Sequence, residues 1–113
     1  KGNPFALGDA YAARDKKTLW LLLVKELESG VAPEAVAGLL WWQLKTIRLA
    51  ALTKNAAEAG MNEFPYKKAQ GALRKYSLEE IEQLAHKLLV LYHDAHAGKG
   101  DMARGLERWC LGV

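Results

Sequence analysis

Histidines and one glutamate are the side chains of this sequence best suited to hold a metal ion. Four such residues lie along one side of a predicted helix: Glu82, His86, His93 and His96. Side chains three or four residues apart on a helix are neighbours and can share one ion. Leu89 interrupts this side, however, and no cysteine stands near the histidines. The pattern is typical of a polar outer face, so the sequence predicts no metal and no cofactor.

A second set of side chains is suited to binding phosphate. Four basic residues are interleaved with tyrosines over a short segment: Lys67, Lys68, Arg74 and Lys75. Basic side chains of this kind neutralise nucleic-acid phosphates. The cluster is small, and the chain has 16 basic and 13 acidic residues for a net charge of +3. A solvated helix face is the preferred interpretation, and a small helical nucleic-acid-binding module that uses this basic face is the alternative.

Catalytic motifs are missing from the sequence. It contains neither a glycine-rich phosphate loop nor a nucleophile elbow, and no nucleophile can be placed beside a base. The segment Gly98-Lys99-Gly100 is too short to surround a phosphate and indicates a break between helices. The sequence therefore predicts that this domain is not an enzyme.

The composition is that of one globular domain. The chain has 113 residues, of which 50% are hydrophobic and 26% charged, and this length suffices for a single core. It begins at Lys1 rather than at a methionine, so we expect a fragment of a longer parent protein. No apolar run approaches the roughly 18 residues that a membrane span needs. The lone Cys110 leaves no internal disulfide and is typical of a reducing cytoplasm.

The longest predicted helix lies between Pro33 and Gly60. Proline suits the first helical position, and glycine suits the left-handed residue just after the end. Its main apolar face consists of Val36, Leu40, Leu44, Ile47 and Ala51, with Leu39 and Ala50 on the flank. Further apolar seams on its back are Trp42 with Leu49 and Trp41 with Leu52. A helix with apolar seams on several sides has several neighbours, so we place it at the centre of a bundle.

Shorter helices are predicted on both sides of this central helix. Their ranges are 5–13, 16–28, 65–76, 78–97 and 102–111. Phe5 is the expected anchor of the first helix. Asp15 and Asp101 suit the N-caps of the second and last helices, and Ser77 with Glu80 forms a capping box. The short link after the second helix favours its antiparallel packing on the third.

The predicted fold is therefore all-α, a compact bundle of about six helices that forms a single domain. No segment has the alternation of apolar and polar residues that is typical of a strand. The agreement of apolar spacing with the helix caps predicts a common core. That core should include Leu23, Leu40, Leu44, Ile47, Leu84 and Leu88.

Adjacent tryptophans cannot share one helix face, so Trp41 and Trp42 cannot both enter the main core. At least one of them should meet another helix or a partner, since exposed aromatic side chains favour interfaces. Lys45 and Arg48 lie near them, and the second helix carries another tryptophan. The candidate partner interface is Trp20, Trp41, Trp42, Lys45 and Arg48.

Ordered landmarks run through nearly the whole chain. They are Phe5-Ala6-Leu7, Asp9-Ala10, the leucine-rich second helix, Gly30, Pro33, Leu39-Leu40, Gln43-Leu44, Arg48, Pro65-Tyr66, Lys68, Ser77, Leu84, Leu88, Asp94, Gly100-Asp101 and Leu106-Glu107. In this order and spacing they resemble the C-terminal domain of the delta subunit of bacterial DNA polymerase III, a subunit of the clamp loader.

Two departures from that family accompany the resemblance. The family often has a short extra helix before the Pro-Tyr element, where this chain leaves only Met61-Asn62-Glu63-Phe64. It also tends to carry a lysine soon after the aspartate matched by Asp94, where this chain continues with Ala95-His96-Ala97-Gly98-Lys99. Both concern local placement of the landmarks.

The resemblance implies a role in assembly. In that family the domain joins the collar domains of gamma/tau-type and delta-prime-type subunits in a ring. The N-terminal part of the parent contacts and opens the sliding clamp, and the complex loads that clamp onto primed DNA during replication. Delta itself lacks a working ATP site, so the parent would be a subunit of the DNA polymerase III holoenzyme without an active site of its own. The implied location is the bacterial cytoplasm, away from any membrane.

Overall fold

The computed structural model describes residues 4–113, with side chains from Ala6 onward. These residues form seven α-helices and no strand. The helices are α1 (Pro4–Ala12), α2 (Lys16–Glu28), α3 (Pro33–Leu52), α4 (Ala56–Ala59), α5 (Glu63–Ala72), α6 (Leu78–His96) and α7 (Met102–Leu111). The all-α prediction is confirmed. The side chain of the predicted anchor Phe5 lies outside the described residues.

Local capping bonds begin three of these helices where the sequence predicts them. The Asp15 carboxylate accepts the Thr18 N–H at 3.2 Å, and the Asp101 carboxylate accepts the Arg104 N–H at 3.0 Å. Ahead of α6, the Ser77 hydroxyl accepts the Glu80 N–H while the Glu80 carboxylate accepts the Ser77 N–H. Such bonds satisfy donors that would otherwise lack partners at a helix start.

The central helix is shorter than predicted. It ends at Leu52, and Thr53 is extended, with φ −129° and ψ 165°. Asn55 then caps the one-turn helix α4 by accepting the Glu58 N–H at 2.8 Å. Gly60 has the expected left-handed conformation, but it ends α4 rather than α3. The prediction of one helix from Pro33 to Gly60 is wrong because Asn55 offers a new N-cap.

The fifth helix also differs in its bounds. It begins at Glu63, two residues before the predicted start at Pro65, and it ends at Ala72 rather than at Tyr76. Tyr76 is nevertheless buried, and its hydroxyl donates to the Tyr11 carbonyl oxygen at 2.6 Å. This bond fixes the turn before α6 against the end of α1.

Helix α3 is central, as predicted, since it contacts α1, α4, α5, α6 and α7. All six residues of the predicted core are buried: Leu23, Leu40, Leu44, Ile47, Leu84 and Leu88. Leu39 was expected beside the core, and Tyr92 follows the apolar spacing of Leu84 and Leu88, yet both side chains are exposed. Helix α2 packs mainly on α1 and α7, so its predicted antiparallel packing on α3 is not a main contact of the fold.

An aromatic cluster closes the core at one end. Tyr11 stacks between Tyr76 and Trp109, with ring centroids 5.2 and 5.7 Å away. The Trp109 indole N–H donates to the Leu84 carbonyl oxygen at 3.0 Å. The cluster therefore ties α1 and the α5–α6 turn to α7.

Candidate interaction surface

The outer face of α3 carries both adjacent tryptophans. Trp41 is 42% exposed and Trp42 is 49% exposed. Consecutive residues differ by about 100° around a helix, since one turn takes 3.6 residues. The two indoles therefore border different grooves, Trp41 towards α6 and Trp42 towards α1 and α5.

The first groove runs between α3 and α6, and we call it the α3/α6 groove. Glu34 lies near Tyr92 at one end, and Arg48 lies near Glu82 at the other, so the two helices are antiparallel. Two cavities of about 420 and 580 Å³ occupy it and share Trp41 as a wall. The remaining lining is mostly apolar: Ala37, Gly38, Leu44, Leu49, Ile81, Ala85, Leu88 and Leu89.

Charged side chains stand at both ends of the α3/α6 groove. The Arg48 Nε lies 3.3 Å from a carboxylate oxygen of Glu82, and both side chains are more than half exposed. Solvent and salt screen such a pair, so it adds little to stability. Glu34 and Lys45 are exposed and belong to no ion pair within residues 4–113. These two charges are therefore free to meet a partner.

The second groove lies between α1, α3 and α5. Trp42 and Phe64 border a cavity of about 210 Å³, and Phe64 is 71% exposed. Lys68 forms an ion pair with Asp9, and its ammonium lies 5.3 Å from the centre of the Phe64 ring. An exposed aromatic ring beside a lysine is thus the main feature of this groove.

Trp20 does not belong to either groove. It is only partly exposed, and its indole N–H donates to the Glu107 carboxylate at 3.3 Å. Its ring lies in the contact between α2 and α7. Of the predicted interface, the structure brings together Trp41, Lys45 and Arg48 at the α3/α6 groove. Trp42 borders the other groove, and Trp20 is separated from both.

The predicted basic face is divided between a helix and a turn. Lys67 and Lys68 lie on α5, whereas Arg74 and Lys75 follow its end at Ala72. All four basic side chains are exposed. The Arg14 guanidinium donates to the Lys75 carbonyl oxygen at 2.6 Å, which holds that turn. The four residues therefore form two small basic groups and not one continuous helix face.

The histidines lie on the exposed side of α6. His96 Nδ1 is 3.0 Å from the Tyr92 carbonyl oxygen, and the His96 ring packs on the Tyr92 ring with centroids 4.3 Å apart. Across the described part of the chain, no three His, Cys, Asp or Glu side chains are grouped so that they could hold a metal ion. The only cysteine, Cys110, is buried, and burial raises the pKa of its thiol to about 12.

Two features of this surface were missed by sequence reasoning. Phe64 was assigned to a loop, and the exposure of Tyr92 was not anticipated. Phe64 follows directly on Asn62-Glu63, a helix-start signal that could have placed it in the first turn of α5. No local signal marks Tyr92 as exposed, because it follows the apolar spacing of a core face.

A scan against protein-family models and searches of curated proteins and of solved structures found no match to this chain. None of the helices in residues 4–113 is both long enough and apolar enough to cross a membrane.

Proposed function

We propose that this chain is an assembly domain, the collar-type C-terminal domain of a delta subunit of bacterial DNA polymerase III. In this role it holds delta among the gamma/tau-type and delta-prime-type subunits of a cytoplasmic clamp loader. The rest of the parent meets the sliding clamp and primed DNA. The domain contributes binding energy and catalyses nothing.

The observation that carries this proposal is the exposed apolar surface along α3. Trp41 and Trp42 are both more than two fifths exposed, and each borders an apolar groove on its own side of the helix. Soluble domains seldom expose such patches without a partner, and aromatic residues are enriched at interfaces. A domain that packs between two neighbours in a ring needs two such flanks.

The short helix α4 also supports the family resemblance. The family often has a short helix before its Pro-Tyr element, and α4 (Ala56–Ala59) precedes Pro65-Tyr66 here. This helix agrees with the family pattern at the first of the two departures noted in the sequence. The second departure, the absence of the lysine expected soon after Asp94, remains.

The test is reconstitution of the clamp loader from its purified subunits. Deleting this domain from the full-length parent should abolish co-elution with the other subunits on a sizing column. In the intact parent, Trp41→Asp and Trp42→Asp should each weaken assembly at least about tenfold, because a charge buried without a partner costs more than one kilocalorie per mole. Leu21→Asp is the matched control, since Leu21 is 49% exposed on α2, away from both grooves.

Each tryptophan is more than half buried, so the two variants should melt below the parent, but both should keep the parental far-ultraviolet circular dichroism and remain folded. A deletion variant that still assembles with unchanged affinity would show that the collar assignment is wrong.

A second candidate function is binding of single-stranded or primed DNA through α5. The observation that favours it is Phe64, 71% exposed beside Lys67 and Lys68. Aromatic rings stack on unpaired bases, and lysines neutralise the adjacent phosphates.

Fluorescence anisotropy with a labelled oligonucleotide tests this candidate. Affinity should fall steeply with salt, and Phe64→Ala and Lys67→Ala should each reduce it, whereas Lys17→Ala at the start of α2 should not. If none of the three substitutions changed the affinity, this surface would not be the DNA-binding site.

A further inference from the structure

Six residues of α3 form one straight exposed line, which we call the α3 stripe. They are Glu34, Gly38, Trp41, Lys45, Arg48 and Leu52, and all six are exposed. Steps of four and three residues alternate along it, the spacing at which one helix meets another in a coiled coil. The α3 stripe forms one border of the α3/α6 groove, whose other border carries the exposed Leu89 and Tyr92.

The α3 stripe is complementary to itself when two copies run antiparallel. In the register that places Glu34 opposite Lys45 of a second copy, Gly38 lies opposite Trp41 of that copy. In both pairs the two residue numbers add up to the same value, so one two-fold axis that passes between Leu39 and Leu40 relates the two copies. Each pair therefore occurs twice in the dimer. A parallel pairing would instead place Glu34 against Glu34 and Lys45 against Lys45.

The surface at Gly38 has room for the indole. A Cβ atom added at Gly38 would have no neighbour within 4 Å, so the backbone is open to solvent there. Beside it lies the cavity of about 420 Å³ that Ala37, Leu88, Leu89 and Tyr92 help to line. A large aromatic residue opposite a glycine lets two helices approach closely and buries the ring on both sides.

We propose that the α3 stripe binds a second copy of this chain as an antiparallel two-fold dimer. Trp41 of each copy packs on Gly38 of the other, and Glu34 of each pairs with Lys45 of the other. In this register only positions 33–46 of the two α3 helices overlap, so the contact is shorter than the helix and the dimer is weak and concentration-dependent. This inference stands on the α3 stripe alone, and it is tested without any clamp-loader subunit.

Sedimentation equilibrium of the 113-residue chain provides the first test. The weight-average mass should rise with concentration from 12.5 kDa towards twice that value. Glu34→Lys and Lys45→Glu should each weaken self-association about tenfold, because each places like charges opposite one another twice. An equimolar mixture of these two variants should regain the parental affinity, since both contacts are then restored in the heterodimer.

Gly38→Leu separates dimerisation from folding. A Cβ atom at this exposed position meets nothing in the monomer, and replacing a helical glycine favours the helix, so the melting temperature should stay or rise. The leucine nevertheless fills the place of the partner's indole and should abolish the dimer. Gly71→Leu on α5 is the matched control, since a Cβ there also meets nothing, and it should dimerise normally.

Three results would overturn the proposal. The first is a weight-average mass that stays at the value of the monomer over the whole concentration range. The α3 stripe would then bind a different chain. The second is dimerisation of Gly38→Leu at parental affinity. The third is a mixture of the two charge variants that associates no better than either alone. Loss of clamp-loader assembly is a separate readout, so the collar role and the dimer can fail independently.

Discussion

At the scale of single residues, Arg14 connects more of the chain than any other charged side chain in residues 4–113. Its guanidinium donates to Glu80 at 2.6 and 3.1 Å and lies 4.6 Å from the centre of the Tyr76 ring. Its backbone is left-handed, with φ 57°, as the chain turns from α1 towards α2. The Glu80 carboxylate also accepts the Ser77 N–H of the α6 capping box. One carboxylate thus serves both a tertiary contact and a helix start.

Acid should weaken the fold through Glu80. The Arg14 guanidinium, and secondly the Ser77 N–H, lower the pKa of Glu80 from 4.5 to about 2. A group with a lowered folded pKa contributes stability above its unfolded pKa and loses it as pH falls through the folded pKa. The free energy of unfolding should therefore fall between about pH 4.5 and pH 2.

Urea unfolding over this pH window measures the effect. Glu80→Gln should be less stable at neutral pH, and its free energy of unfolding should depend less on pH. Glu79→Gln, at the exposed neighbouring position, should keep the pH dependence of the parent. A Glu80→Gln profile as steep as that of the parent would contradict the assignment.

At the scale of the helix, α3 has two opposite surfaces with different tasks. Its inner surface, with Leu40, Leu44 and Ile47, is buried by five other helices. Its outer surface keeps Trp41 and Trp42 exposed. Substitutions on the inner surface should therefore change stability, and substitutions on the outer surface should change association.

Leu44→Ala tests the inner surface. Leu44 is 2% exposed, so its truncation leaves a cavity and should cost about 2–5 kcal/mol of unfolding free energy. Leu52→Ala is the control on the outer surface, since Leu52 is 58% exposed and its truncation should cost less than about 0.5 kcal/mol. Denaturant melts measure both values. If the two variants lost the same free energy of unfolding, α3 would be rotated so that Leu44 no longer faces the core.

At the scale of the whole molecule, one core joins helices from both ends of the chain. Tyr11 of α1 stacks on Trp109 of α7, and α2 packs on α7 as well. Helices whose side chains are buried against one another lose this packing together when the chain unfolds. We therefore treat the described chain as one cooperative unit.

A single unfolding transition is the expected consequence. Far-ultraviolet circular dichroism and tryptophan fluorescence should give coincident denaturant curves, as two-state unfolding requires. Trp109→Phe replaces the buried indole by a smaller ring and removes its hydrogen bond to Leu84, so it should shift both curves equally to lower denaturant. Two separate transitions would show that α1, α2 and α7 unfold apart from α3 and α6.

Residues that interact within one helical turn could be predicted from the sequence alone. The caps at Asp15, Ser77 and Asp101 each join groups three residues apart, and the buried spacing of α3 and α6 follows from helical period. These are short-range interactions, so a local pattern is enough to reveal them. The same logic extends to Asn55-Ala56-Ala57-Glu58, a cap signal that was present but overlooked.

Only the tertiary structure decided which apolar residues are covered. Tyr92 follows core spacing yet remains exposed at the border of the α3/α6 groove. Trp20 pairs with Glu107 across 87 positions of sequence, and no local pattern specifies so distant a partner. The character of each helix face was therefore set by the sequence, whereas the choice between core and free surface depended on how the seven helices pack.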